Sequence, residues 1–187
     1  MNADTRSEMK IKEYLRLFST AVLVIVLDQW TKMQVRTMPL GSVWMPQGWE
    51  WLTPYARIVH WYNTGAAFGS FQGFGIVFTV LAFFVVAFIV YYFKQIAGQF
   101  WWMQVAMGMQ MGGAIGNVID RLTNDMKVTD FISVGSFAVF NVADSAITVG
   151  TIILVLGMMY LDKQASLKTE KSIVEETYKS TEGQSHE

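Results

Sequence analysis

The stretch FGIVFTVLAFFVVAFIVYYF (residues 74–93) carries no charged residue, and its reading decides what kind of fold the chain can adopt. A helix crosses the hydrocarbon core of a bilayer in roughly 20 apolar residues, so this run can span one unaided. Residues 95–119 are also uncharged, and SAITVGTIILVLGMMYL (145–161) makes another span when begun a few residues earlier. The N-terminal run YLRLFSTAVLVIVLDQWTK (14–32) has a strictly uncharged core only at 17–27. No small-residue cleavage site follows it, and Arg16 can reach the headgroups along its apolar stem. It therefore reads as a span and not as a cleaved leader. The expected fold class is an α-helical membrane protein with four transmembrane helices, near 13–31, 72–93, 97–120 and 141–161. Residues 1–162 then form one membrane domain, and 163–187 a polar tail whose composition predicts partial disorder.

Composition points the same way. Of 187 residues, 52% are hydrophobic and 16% charged, in longer apolar blocks than a soluble globule uses. A net charge of −1 gives no reason to expect nucleic acid as a partner. The absence of cysteine removes disulfides, thiol nucleophiles and thiolate metal sites. With only His60 and His186 available, a histidine-built metal centre or a Ser-His-Asp triad has little to draw on. No metal and no cofactor is expected.

Basic residues set the orientation. Arg6, Lys10, Lys12 and Arg16 precede the first span, and Lys163, Lys168, Lys171 and Lys179 follow the last. Four spans put both groups on one side, the cytoplasmic one. The segments at about 32–70 and 121–140 then face outward. The second includes VTDFISVGSFAVFN (128–141), β-branched and aromatic with a Gly135-Ser136 turn, which predicts a hairpin. The first includes SVWMPQGWEWLTPYARIVHWYN (42–63), which predicts short strands and a loop element at the membrane interface, where Trp and Tyr prefer to sit.

On this topology Asp28, Asp120 and Asp144 all fall at the outer edge of the membrane, where an ionisable group is a functional hypothesis by default. Asp120 ends NVID (117–120) and Asp144 ends NVAD (141–144), so each follows an asparagine at i−3. On a helix those positions share a face. Two carboxylates meeting across helices repel, so one proton is shared near neutrality. Such a pair hydrolyses amides: the ionised member takes a proton from water while the protonated one polarises the carbonyl. Asp28 can brace the bundle near Lys32. Gly108, Gly112 and Gly116 form a small-residue row that lets a neighbouring helix approach. Arg121 can pair with a carboxylate or a lipid phosphate. NTGAAFG (63–69), with Gly65, lacks the lysine and frame of a phosphate loop and reads as a tight turn positioning Asn63. A proton-conducting protein would spread its carboxylates over several depths, and a non-catalytic assembly factor would use them only to hold helices together.

Five blocks, DQWTK (28–32), NTGAAFG (63–69), GGAIGNVIDR (112–121), VTDFI (128–132) and FNVADSAI (140–147), closely resemble the lipoprotein signal peptidases, or signal peptidase II, in order and over most of residues 15–160. The resemblance implies an aspartyl peptidase of the bacterial inner membrane, multi-pass, with cytoplasmic termini, an outward-facing active site and a small extracytoplasmic β-cradle. It implies cleavage of diacylglyceryl-modified prolipoproteins just before the lipid-bearing cysteine, and binding of the cyclic peptide globomycin. It assigns the catalytic pair to Asp120 and Asp144, supporting roles to Asn63, Asn117, Asn141 and Arg121, and a structural role to Asp28; Gly65, Gly112 and Gly116 are expected to be structural from the turn and the small-residue row. The partners expected are substrate and phospholipid bilayer, with the chain acting as a monomer.

Overall fold

The computed structural model describes residues 3–65, 71–97 and 100–184. Four helices run in the order α1 (Ala3–Val35), α2 (Gly75–Ala97), α3 (Trp101–Thr123) and α4 (Val142–Gln184). Three strands, β1 (Val43–Trp44), β2 (Ala56–Asn63) and β3 (Val128–Val134), form an antiparallel sheet in the order β1-β2-β3. β3 pairs along β2 from Ala56↔Val134 to Asn63↔Val128, with an irregularity between Ile58 and Trp61. A 3₁₀ turn, Glu50–Leu52, lies between β1 and β2 and leaves Trp49 and Trp51 exposed.

α3 is the central post and packs against α1, α2 and α4. The reason is its glycine row. A Cβ on Gly108 would sit 2.6 Å from the Leu17 carbonyl oxygen, one on Gly112 2.6 Å from that of Ala21, and one on Gly116 2.7 Å from Asp28 Oδ2. Bare backbone on α3 thus lets α1 come within direct van der Waals reach. Leu17, Ala21, Ile89, Phe93, Met103, Met107 and Leu154 fill the core that results.

The bundle is inverted relative to a soluble protein. α1 exposes Val22, Leu23, Val26 and Trp30 while burying Asp28 and Lys32 completely. α2 exposes Ile76, Phe83, Phe84 and Phe88, and α4 exposes Ile152, Val155, Leu156 and Met159. A continuous apolar exterior of this kind suits hydrocarbon and not water. Among the described residues, two helices qualify as spans by length and hydropathy, within Gly75–Phe93 (mean hydropathy 2.7) and Val142–Ile173 (1.9). α1 and α3 bury polar residues against each other, among them Asp28, Lys32, Gln104, Asn117 and Asp120, which lowers their mean hydropathy.

Two expectations change. The tail at 163–187 was expected to be partly disordered, yet α4 continues to Gln184. Its residues favour helix and no Gly or Pro interrupts them between Gly157 and Gly183. The hairpin expected over 128–141 is only half formed. Its first limb is β3, which pairs mainly with β2, and the returning limb touches it through a single bridge, Ile132↔Phe140. The Ala66–Gly69 portion of NTGAAFG lies outside the described residues.

Candidate active site

The two Asn-x-x-Asp motifs fold differently. In NVAD, Asn141 precedes the first turn of α4, and its Oδ1 accepts the Asp144 N–H at 2.9 Å. Asp144 Oδ2 accepts the Asn141 N–H at 3.2 Å in return. This reciprocal pair is a capping box, and it places Asp144 where the positive end of the helix dipole favours a carboxylate. In NVID both residues are inside α3, and the amide does not serve its own aspartate. Asn117 Nδ2 donates to Asp144 Oδ1 at 2.8 Å, and Asn117 Oδ1 accepts from Lys32 Nζ at 2.9 Å.

Asp120, expected to face Asp144, does not do so. Its side chain is fully buried and each oxygen is taken: Oδ1 accepts from Arg36 at 2.7 Å and Gln29 at 3.2 Å, while Oδ2 accepts the Thr129 N–H at 2.7 Å and lies 3.4 Å from Lys32 Nζ. Asp120 ties α1 to α3 and to the start of β3. Asp28 is similarly committed, with Oδ2 2.7 Å from Lys32 Nζ and Oδ1 accepting the Ala143 N–H at 2.9 Å. It braces α1 and also caps α4, whose early N–H groups have no partner within the helix. Gly116 leaves room for Asp28 Oδ2, which a Cβ there would approach to 2.7 Å.

The carboxylate that does join Asp144 is Asp130, on β3. Asp130 Oδ1 accepts from Asn141 Nδ2 at 2.7 Å and Oδ2 from Asn63 Nδ2 at 3.0 Å. Asn141 therefore holds both acids, one by its side-chain amide and one by its backbone N–H. Asn63 is itself oriented by an Asx turn, its Oδ1 accepting the Gly65 N–H at 2.9 Å, which is the turn role read from NTGAAFG. Burial, with the Asp144 charge next, pushes the Asp130 carboxyl up to about 7, against the opposing pull of its two amides and of Lys32.

Asp130 and Asp144 line one cavity of about 570 Å³, together with Asn63, Asn117 and Arg121. Phe78, Phe137, Phe140, Ile147 and Val149 make most of its remaining wall apolar, with Ser145 and Thr148 also lining it. Neither Asp28 nor Asp120 reaches it. The Arg121 guanidinium lies 5.6 Å from the Phe78 ring centroid, a cation–π distance that holds its charge at the cavity wall. Among the described residues no group of three or more His, Asp or Glu side chains is arranged to hold a metal ion. Sequence reasoning missed Asp130 because it looked for acids at helix ends. The signal that could have found it is an acidic residue at the centre of the β-branched VTDFI run, where a solvated strand face offers no reason for it.

The signal peptidase (SPase) II family profile matches residues 20–160. A lipoprotein signal peptidase of Geobacillus thermodenitrificans is 41% identical over 146 residues, which is 75% of this chain and 87% of the relative. One of Staphylococcus aureus is 33% identical over 158 residues, 82% and 91% of the two chains. A solved structure described as a bacterial membrane enzyme superposes with a TM-score of 0.69 at 31% identity, covering 77% of this chain and 87% of that one.

Proposed function

The chain belongs to the signal peptidase II family and is a membrane peptidase, and from that premise we propose that it removes signal peptides from diacylglyceryl-modified prolipoproteins with Asp130 and Asp144 as its catalytic pair. The observation that carries the pairing is Asn141, which donates to both carboxylates that line the cavity, to Asp130 Oδ1 through its side-chain Nδ2 and to Asp144 Oδ2 through its backbone N–H. Asp120, assigned to the pair from sequence, is a positioning residue in this reading: it fixes the Thr129 N–H and so the strand position next to Asp130.

The chemistry divides between the two acids. Asp130, raised to about 7, holds the proton and donates it to the scissile carbonyl oxygen. Asp144 sits at a helix N-terminus and accepts two N–H donors; it is the ionised partner that takes a proton from the attacking water. The tetrahedral diol then collapses. Its C–N bond breaks, the proton on Asp144 passes to the leaving amine, and Asp130 regains its proton from the diol hydroxyl. Arg121 at the cavity wall offers a donor to a substrate carbonyl. The apolar side, with Phe137 and Phe140, suits a substrate that is itself membrane-bound.

The proposed setting is the bacterial inner membrane, with all four helices spanning, both termini cytoplasmic and the sheet and cavity on the outer side. The basic residues flanking the first and last helices support this orientation. A monomer acting on substrate and bilayer, and inhibited by globomycin, completes the reading. The test is a gel-shift cleavage assay in detergent on a diacylglyceryl-modified prolipoprotein. Asp130→Asn and Asp144→Asn are each expected to abolish the shift, a loss on the order of 10³-fold or more, while remaining folded. Normal cleavage by either folded variant overturns the pair.

A further inference from the structure

Lys32 is a fully buried cation, and the reaction outlined above does not use it. Its ammonium lies 2.7 Å from Asp28 Oδ2, 2.9 Å from Asn117 Oδ1 and 3.4 Å from Asp120 Oδ2. The two carboxylate contacts belong to a balanced cluster, in which Asp28 and Asp120 face Lys32 and Arg36. The third contact leads towards the cavity. We propose that Lys32 is a positioning residue for the aspartate pair, acting through the amide of Asn117; this rests on Asp130 and Asp144 being that pair.

An asparagine amide has nearly the same shape in its two flipped states, and only its partners choose between them. Asn117 Oδ1 has two donors, Lys32 Nζ at 2.9 Å and Asn141 Nδ2 at 3.2 Å. An ammonium can donate and never accept, so it forbids the flipped amide. With the oxygen held towards α1, Nδ2 is left to donate to Asp144 Oδ1 at 2.8 Å. A flipped Asn117 would instead turn its oxygen on a carboxylate oxygen. Lys32 thus fixes a donor on the ionised acid from the far side of α3.

The same charge acts on the second acid. Asp130 is faced by Asp144 from α4, by Arg121 from α3, by Lys32 from α1, and by the amides of Asn63 and Asn141. Of these, Lys32 draws its carboxyl downward against burial and against Asp144. Removing the ammonium has two separable effects, therefore. The water-activating acid loses its fixed donor, and the protonated acid keeps its proton to higher pH.

Lys32→Met alone strands a buried carboxylate and can unfold the chain. The informative variant is Asp28→Asn with Lys32→Met, which restores neutrality and keeps an oxygen for the Ala143 N–H. Lys32→Arg serves as the charge-retaining comparison. Full-length protein in detergent is assayed on the modified prolipoprotein, with thermal unfolding as a fold control. The double variant is expected to lose on the order of 10- to 100-fold in kcat with little change in KM, and its alkaline pH–rate limb moves to higher pH. Lys32→Arg is expected to keep that limb at its wild-type position. A folded double variant with wild-type kcat and an unmoved limb overturns the proposal, as does a kcat loss with an unmoved limb, which is the mark of packing alone. Asp130→Asn and Asp144→Asn are run alongside. If they cleave normally the pair itself is wrong; if they are dead while the double variant behaves as wild type, only the role of Lys32 is.

Discussion

Asp130→Asn should flatten the pH dependence of stability as well as stop cleavage. The carboxyl titrates near 3.8 when unperturbed and is pushed to about 7 in the fold, first by burial and then by Asp144. Between those values the native chain holds a proton that the unfolded chain has released. The contribution to stability is therefore fully present below about pH 4 and is lost as pH rises through about 7. From pH 5 to pH 8 the loss amounts to about 2.5 kcal/mol, or roughly 5–10 °C in Tm for a chain of this size. Asparagine matches the shape of the acid and cannot titrate, so the variant lacks this slope. Thermal unfolding in detergent at a series of pH values, read as wild type minus variant, isolates the difference. Parallel curves for the two proteins between pH 5 and pH 8 would refute the reasoning, because Asp130 would then hold no proton that folding forces on it.

Asp120→Asn leaves Arg36 and Lys32 short of a carboxylate and should cost about 3 kcal/mol of stability, while the folded fraction keeps measurable cleavage; unchanged Tm with no activity would return Asp120 to the chemistry. Gly112→Ala places a Cβ 2.6 Å from the Ala21 carbonyl oxygen, prising α1 from α3 at a cost of about 1–3 kcal/mol, and a Tm equal to wild type would contradict the close approach. Asn63→Leu removes a donor that lowers the proton affinity of Asp130. The alkaline limb of its pH–rate profile should accordingly move up, and a downward move would mean that Asn63 favours the protonated acid.

The apolar runs announced the helices because lipid rewards an uninterrupted outward face, and the sheet was foreshadowed by the β-branched and aromatic outer segments. The site was legible only in part. Asn63, Asn117, Arg121 and Asp144 do meet at one cavity, with Asn141 buried behind its two acids, yet the similarity of NVID to NVAD misled. Four matching letters imply a shared geometry only if both begin a helix. NVAD does and forms a capping box, whereas NVID lies inside α3, where its two polar side chains leave in different company. That company comes from Lys32 and Arg36, more than 80 positions away in the chain. No local pattern carries that information. That Asp130, and not Asp120, lines the cavity with Asp144 is a tertiary fact.

The capping box also bears on how easily the enzyme could escape an inhibitor. Asn141 and Asp144 start α4 and, in the proposed reading, serve the chemistry with the same two side chains. A substitution that weakened an inhibitor's grip there would unravel a helix end and disable turnover at once. Substitutions that escape at tolerable cost are confined to the apolar rim, such as half-exposed Phe137 or its neighbour Val139. A compound that draws its affinity from the polar floor and touches the rim lightly leaves resistance the fewest places to arise.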